Sequence, residues 1–223
     1  MTQLADKIFL QIAFDIPYLG AVEQLLKKIQ SHDRLILELG TPLIKNEGLT
    51  HLLPLFRKYF PRNYIVADLK TLDVGKLEVE LAFTAGADGC VVSGLAPKET
   101  IVEFGKACEE FGIDMWIDSL GTSQTSFLQL VDNIKSLLKV VVIHRGIDEE
   151  FGKEKRHNRV NWNDIVQIKR INQAKIAVAG GINQKMALKA IQQGADIIIV
   201  GRYVYSSETP QKEIDNLLKI ITS

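Results

Sequence analysis

The stretch IAVAGGINQKMALKAIQQGADIIIVGR, residues 176–202, holds one complete structural unit. Ile176–Ala179 is an apolar run of strand length, and Gly180 and Gly181 interrupt it. Residues 184–193 then place apolar side chains at helical spacing, and Ile197–Val200 is a second apolar run. Neither run alternates polar with apolar residues, which is the signature of a parallel strand buried on both faces. Strand, crossover helix and parallel strand form a β-α-β unit.

The same unit recurs along the chain. Further strands are expected at Ile8–Phe14, Arg34–Leu39, Tyr64–Asp68, Gly89–Val92, Asp114–Asp118 and Val140–His144. Helices are expected near 20–30, 49–59, 74–85, 98–111, 123–137, 161–172 and 209–221. Eight such units in succession favour a closed (β/α)8 TIM barrel, a single α/β domain over residues 1–223. The sixth unit carries an added polar stretch, residues 149–159, which reads equally as a solvated loop or an active-site lid.

Composition narrows the functional classes. Hydrophobic residues make up 46% and charged residues 24% of the 223 positions, as in globular domains. The 27 basic and 27 acidic residues cancel, so there is no basic footprint for nucleic acid, and an anion site has to be local. Runs such as Val140–Ile143 are too short to span a bilayer. The first residues do not read as a signal peptide. Cys90 and Cys108 fall in regular elements and read as reduced packing thiols, so a cytoplasmic location is expected. His32, His51 and His157 read as surface residues.

Barrel active sites lie where strands run out into loops. Those ends carry Asp15, Glu38, Asp68 with Lys70, Ser93, Asp118, His144, Gly180-Gly181 and Gly201-Arg202. A whole ring of polar strand ends is more than capping requires. In an extended strand Asp68 and Lys70, two apart, would share the face toward the mouth. Asp73 falls where the next helix should begin, an N-cap position when read alone. Glu38 and Asp68 end adjacent apolar strands, a costly pairing unless a cation lies between them. Mg2+ or Mn2+ held by both carboxylates and completed by water and substrate oxygens would satisfy them. Gly180, Gly181 and Gly201 let backbone N–H groups approach a phosphate after the seventh and eighth strands, and Arg202 can add a bidentate contact. His144 suits acid/base work.

At these residues the chain resembles the metal-dependent branch of the orotidine 5′-monophosphate decarboxylase suprafamily, which contains 3-hexulose-6-phosphate synthases and 3-keto-L-gulonate-6-phosphate decarboxylases. The likeness runs through Asp68-x-Lys70-x-x-Asp73, ELGTPLIKNEG at 38–48, IVADLKTLDVG at 65–75, VAGGIN at 178–183 and IVG at 199–201. It is strongest to archaeal-type hexulose-phosphate synthases. It implies a homodimer with shared active sites, in which Glu38 and Asp68 are metal ligands and Asp73 reaches the partner's site. By the same resemblance Lys70, Asp15 and Asp118 meet the substrate, and His144 is the catalytic histidine. Gly181, Gly201 and Arg202 grip the phosphate. The implied reaction joins formaldehyde to ribulose 5-phosphate, or reverses that step, through a Mg2+-stabilised 1,2-enediolate. Ile147 stands where the decarboxylases carry a second arginine, and Asp118 where they carry Glu; both favour the synthase. Arg145 matches the decarboxylases instead. Two other readings stand beside the synthase: a 3-keto-L-gulonate-6-phosphate decarboxylase, and a non-catalytic phosphosugar-binding barrel.

Overall fold

Eight strands line up in chain order in the computed structural model, which describes residues 4–146 and 161–222. They are β1 (Phe9–Phe14), β2 (Leu35–Leu39), β3 (Tyr64–Thr71), β4 (Gly89–Ser93), β5 (Asp114–Asp118), β6 (Val140–His144), β7 (Lys175–Ala179) and β8 (Ile197–Val200). All neighbours are parallel, and β8 returns to β1 through the pairs Phe9–Ile197 to Ile12–Val200, which closes the barrel. The expected (β/α)8 architecture is therefore present.

Around it lie α1 (Leu19–Leu26), α2 (Thr41–Glu47), α3 (Leu49–Tyr59), α4 (Gly75–Ala85), α5 (Lys98–Phe111) and α6 (Gln124–Asn133). A single 3-10 turn, Trp162–Asp164, leads into α7 (Ile165–Ile171), followed by α8 (Gln184–Gln192), α9 (Arg202–Tyr205) and α10 (Pro210–Thr222). Two short helices, α2 and α9, add to the sequence expectation, and β3 extends three residues past Asp68. The 149–159 loop, with His157 and the Ile147 position, lies outside the described residues. No helix among the described residues is long and apolar enough to cross a membrane.

The burial explains why the strands do not alternate in polarity. Phe9, Val66, Trp116, Val142 and Ile199 fill the barrel interior, while their chain neighbours Leu10, Ile65, Ile117, Ile143 and Ile198 face the helices. Both faces are dry, so both are apolar. The wall between barrel and helices takes Val22, Leu53, Phe56, Phe104 and Leu217 from the helix side. Cys90 and Cys108 pack there as buried free thiols, with Sγ atoms 3.8 Å apart.

At the end of the barrel where strands begin, the polar groups are structural. Asp88, just before β4, accepts from the Ile65 N–H at 2.9 Å and from the Arg57 guanidinium. Tyr64 donates to Asp114 at 2.7 Å and accepts from Trp116 Nε1 at 3.3 Å. Because Arg57 is partly exposed, replacing Asp88 with Ala should remove about 2–4 kcal/mol of stability in chemical denaturation rather than the full cost of a broken buried pair. The kcat per folded molecule should stay unchanged. A loss of activity without a loss of stability would contradict this division between the two ends.

Candidate active site

The site begins with an irregularity in β3. Its register against β4 runs Ala67–Cys90 and then Thr71–Val92, four residues against two, and Lys70 adopts a left-handed φ of 46°. This bulge turns Lys70 back over the barrel mouth. Its Nζ lies 2.6 Å from Asp68 Oδ2 and 3.0 Å from Asp118 Oδ2. Asp68 and Lys70 do share the mouth, but a bulge brings them together, not simple alternation. Val74 is also left-handed, at φ 49°, a strained state for a β-branched residue. Between the two, the Thr71 hydroxyl bonds to Glu78 of α4 and anchors the segment.

Asp118 is the hub of the opposite side. It is 3% exposed, accepts from the Leu120 N–H at 2.7 Å, and lies 2.8 Å from His144 Nδ1. Burial works against its charge, but His144, Lys70 and the Leu120 N–H outweigh burial and hold its carboxyl well below the usual carboxylate range. Burial would also depress His144; the neighbouring Asp118 carboxylate overrides this and raises it above 6.5. Lys70 is likewise opposed by burial, yet Asp68, Asp118 and Glu38 push its ammonium well above the ordinary lysine range.

Glu38 and Asp15 lack such compensation. Glu38 is pushed up to about 8, by burial first and then by Asp68 and Asp15. Asp15 is raised by burial and by Asp68. Its carboxylate lies against Gly40, where a Cβ would come within 2.1 Å of Oδ1 and 2.8 Å of the Phe14 carbonyl oxygen, so only glycine fits there without a shift. Asp68 is 4% exposed; Thr41 Oγ1 donates to its Oδ2 at 2.9 Å, while Oδ1 has no hydrogen-bond partner. A crowded set of hard oxygens with an orphaned acceptor suits a divalent cation of the Mg2+ or Mn2+ kind. Among the described residues no group of three or more His, Cys, Asp or Glu side chains could hold a metal by itself. Glu38 and Asp68 thus offer two ligands, and a bound cation would need water or substrate oxygens for the rest.

These groups line one cavity of about 570 Å³. Its other wall is Gly180, Gly181, Ile182 and Asn183 with Gly201, Arg202, Tyr203 and Tyr205. Gly180 has φ 99°, and a Cβ there would meet the Arg145 carbonyl at 2.1 Å. The glycines do not open α8 directly, because Asn183 caps it by accepting from the Met186 N–H at 3.0 Å. The two loops are tied together: Gln184 donates to the Tyr203 hydroxyl at 2.9 Å, and Tyr203 donates to Glu213 at 2.6 Å.

Of the residues expected from sequence, Asp15, Glu38, Asp68, Lys70, Asp118, His144, Gly180, Gly181, Gly201 and Arg202 meet at this cavity. Asp73 does not; it is exposed, outside the cavity wall. That position is the one expected of a residue that acts in a partner's site, but the N-cap reading of Asp73 is corrected, since Val74 is the cap residue of α4 and the Asp73 carboxylate accepts from the adjacent Val74 N–H at 2.8 Å. Ser93 serves a turn, accepting from the Leu95 N–H at 3.2 Å. His32 is half-exposed and His51 exposed, as expected. Gln11, Gly40, Thr41 and the Gln184–Tyr203–Glu213 link were not anticipated. The Gly40-Thr41-Pro42 start of α2 was the available signal for two of them, since proline favours the first helical turn.

The sequence model of the orotidine 5′-phosphate decarboxylase / HUMPS family matches residues 9–217. A "Bifunctional enzyme Fae/Hps" of Methanocella arvoryzae is 39% identical over 222 residues, 98% of this chain and 54% of the relative. Its counterpart in Methanocaldococcus jannaschii is 41% identical over 209 residues, 92% of this chain and 50% of the relative. The chain spans about half the length of the curated relatives it matches. Among solved structures, a 3-hexulose-6-phosphate synthase superposes with TM-score 0.82 at 30% identity, covering 96% of this chain and all of that one. A Salmonella typhimurium protein of the same description gives TM-score 0.83 at 27% identity, over 96% of this chain and 99% of that one.

The Asp118–His144 pair has a pH signature. A raised His144 pKa means that the pair's stabilisation is fully present below 6.5 and is lost as pH rises through the folded value. In Asp118→Asn, burial and the Lys70 charge are left to dominate. NMR titration of His144 should therefore give a value above 6.5 in the parent and below it in the variant. An unmoved titration would show that Asp118 does not set the state of His144.

Proposed function

The chain belongs to the orotidine 5′-phosphate decarboxylase / HUMPS family, and from that premise we propose that it is an aldehyde-lyase of the 3-hexulose-6-phosphate synthase type. It would join formaldehyde to D-ribulose 5-phosphate to give D-arabino-hex-3-ulose 6-phosphate, or cleave that product. One observation carries this reading above the others. The Lys70 ammonium bridges Asp68 and Asp118, with His144 on Asp118, in the cavity whose far wall is the glycine loops and Arg202.

In this reading Arg202 and the backbone of Gly180, Gly181 and Gly201 hold the phosphate, which fixes the sugar across the mouth. Asp118 holds His144 by Nδ1, leaving Nε2 to exchange the proton at C1 of the bound ketose. His144 takes that proton in the condensation and returns it in cleavage. Lys70, held in place by two carboxylates, stabilises the negative charge of the resulting 1,2-enediolate. Asp15 receives a substrate hydroxyl. Glu38 and Asp68 would hold Mg2+ or Mn2+, which when bound supplies electrostatic stabilisation to charge developing on adjacent substrate oxygens. A non-catalytic phosphosugar barrel would need the glycine wall but neither the His144–Asp118–Lys70 chain nor its strained bulge.

The protein would act as a cytoplasmic homodimer that shares its active sites. What supports the dimer is an apolar surface: Leu72 is 56% exposed, Val74 54%, Leu77 52% and Leu81 50%. Leu77 and Leu81 lie one helical turn apart on α4, and Leu72 and Val74 flank Asp73 in the chain. A face of this kind is a candidate for burial against a second copy, and a two-fold contact there would carry Asp73 toward the partner's mouth.

The assay that tests the reaction supplies ribulose 5-phosphate, formaldehyde and Mg2+ and follows hexulose phosphate. Product should form, stop with EDTA and return with added Mg2+. CO2 release from 3-keto-L-gulonate 6-phosphate in place of condensation would transfer the protein to the decarboxylases. Inertness to both would leave a binding protein, and full activity in metal-free protein would remove the cation. Arg202→Ala should raise KM far more than it lowers kcat, because phosphate is gripped in ground and transition states alike; an unchanged KM would put the phosphate elsewhere.

The sharing of sites has its own test. Asp73→Ala and Lys70→Ala subunits should each be inactive, and mixing them with exchange should regenerate activity. Each heterodimer would then hold one site with both native residues. An exchanged mixture that stays dead would place Asp73 in its own chain's chemistry.

A further inference from the structure

We propose that Gln11 is a positioning residue: it holds the Glu38 carboxylate in the one orientation that presents an oxygen to a divalent cation at the mouth. The inference rests on the metal reading above and extends it one layer down the barrel.

Gln11 lies in β1, two residues before Ala13, the register partner of Glu38. Both side chains line the cavity, so Gln11 is beneath Glu38 and not beside it. It is 1% exposed, among the apolar side chains of Val91, Trp116, Val142 and Ile199 that form the rest of the cavity floor. Its Nε2 donates to Glu38 Oε2 at 2.6 Å, and its own Oε1 has no hydrogen-bond partner. A leucine or methionine would fill the same space without leaving a buried acceptor unsatisfied, which is a real cost. The amide is therefore poor packing, and its one good contact is the bond to Glu38.

That contact has a direction. Glu38 reaches the mouth on a flexible stem, and tying Oε2 toward the floor leaves the other carboxylate oxygen for the mouth. On the neighbouring strand, Asp68 has Oδ2 occupied by Thr41 and Lys70 while Oδ1 is buried and unpartnered. Each acid thus has one oxygen fixed by the protein and one left over. Groups that orient metal-ligating carboxylates in this way typically matter about 10–100-fold in metal affinity when removed.

Mn2+ binding to the metal-free protein, read by titration calorimetry without substrate, tests the assignment. Gln11→Met and Gln11→Leu should bind Mn2+ about 10–100-fold more weakly than the parent. Their Tm without metal should be unchanged or higher, because an orphaned amide has been replaced by apolar volume. Parent-like affinity in both variants would overturn the role of Gln11 while leaving the metal site standing. A parent that binds no Mn2+, or a Glu38→Gln variant that binds as the parent does, would remove the metal reading itself and this proposal with it. Collapse of the fold in both variants would show that the amide serves packing, and would equally overturn it.

Discussion

The Lys70 ammonium, lodged between Asp68 and Asp118, is the interaction on which the mouth of this barrel depends. Asp15, Glu38, Asp68 and Asp118 converge there from four different strands or strand ends above an apolar floor. Without a cation among them, burial and mutual repulsion would drive several to take up protons. Lys70 settles two of the four by direct contact. It can do so only because β3 bulges and accepts a left-handed residue that is not glycine, a conformation the Thr71–Glu78 bond helps to hold. The backbone strain and the charge arrangement are one design: the bulge places the cation, and the cation permits the carboxylates.

The barrel divides its polar residues by height. Below, the pairs Arg57–Asp88 and Tyr64–Asp114 bind strand starts to the structure around them, and each acid there has a donor. In the middle lies a dry layer with Trp116 and Val66, broken only where Gln11 reaches up to Glu38. Above, the charges are deliberately unequal. Asp118 and His144 are matched to each other, whereas Glu38 and Asp15 are left short of compensation. The glycine wall opposite them, with Arg202, is where the proposed function puts the phosphate. A ligand with a phosphate at one end and adjacent oxygens at the other would span the two walls.

Much of this was legible in the sequence, for reasons that can be named. Runs such as Ile197–Val200 are apolar on both faces because helices cover one side and the interior fills the other, so strand positions could be read to within a residue except at the end of β3. Strand-end polar residues stood out because nothing in a capping role accounts for so many. What escaped reading was geometry that one residue decides. The Lys70 bulge is invisible in the letters, since lysine carries no preference for a left-handed φ. Taken alone, Asp73 read as a helix cap because Asp favours that role, yet the strained Val74 took it. Helix α2 was missed because Thr41–Glu47 is too short to show a period. Gln11 was not anticipated, although it stands as an amide in the otherwise apolar FLQIAF of β1, because only the fold reveals that it lies under Glu38.

In the proposed function, the surplus of carboxylate at the mouth serves to receive a divalent cation. Glu38, held up to about 8 by burial, Asp68 and Asp15, is then largely protonated at neutral pH and has to give up its proton when a cation arrives. Calorimetry of Mg2+ binding near pH 7, in buffers of unequal ionisation enthalpy, counts that proton directly. About one proton should be released per Mg2+ bound, falling toward none near pH 9, and Glu38→Gln should release none. No Mg2+ binding near pH 7, or the same binding and proton release from Glu38→Gln, would contradict it.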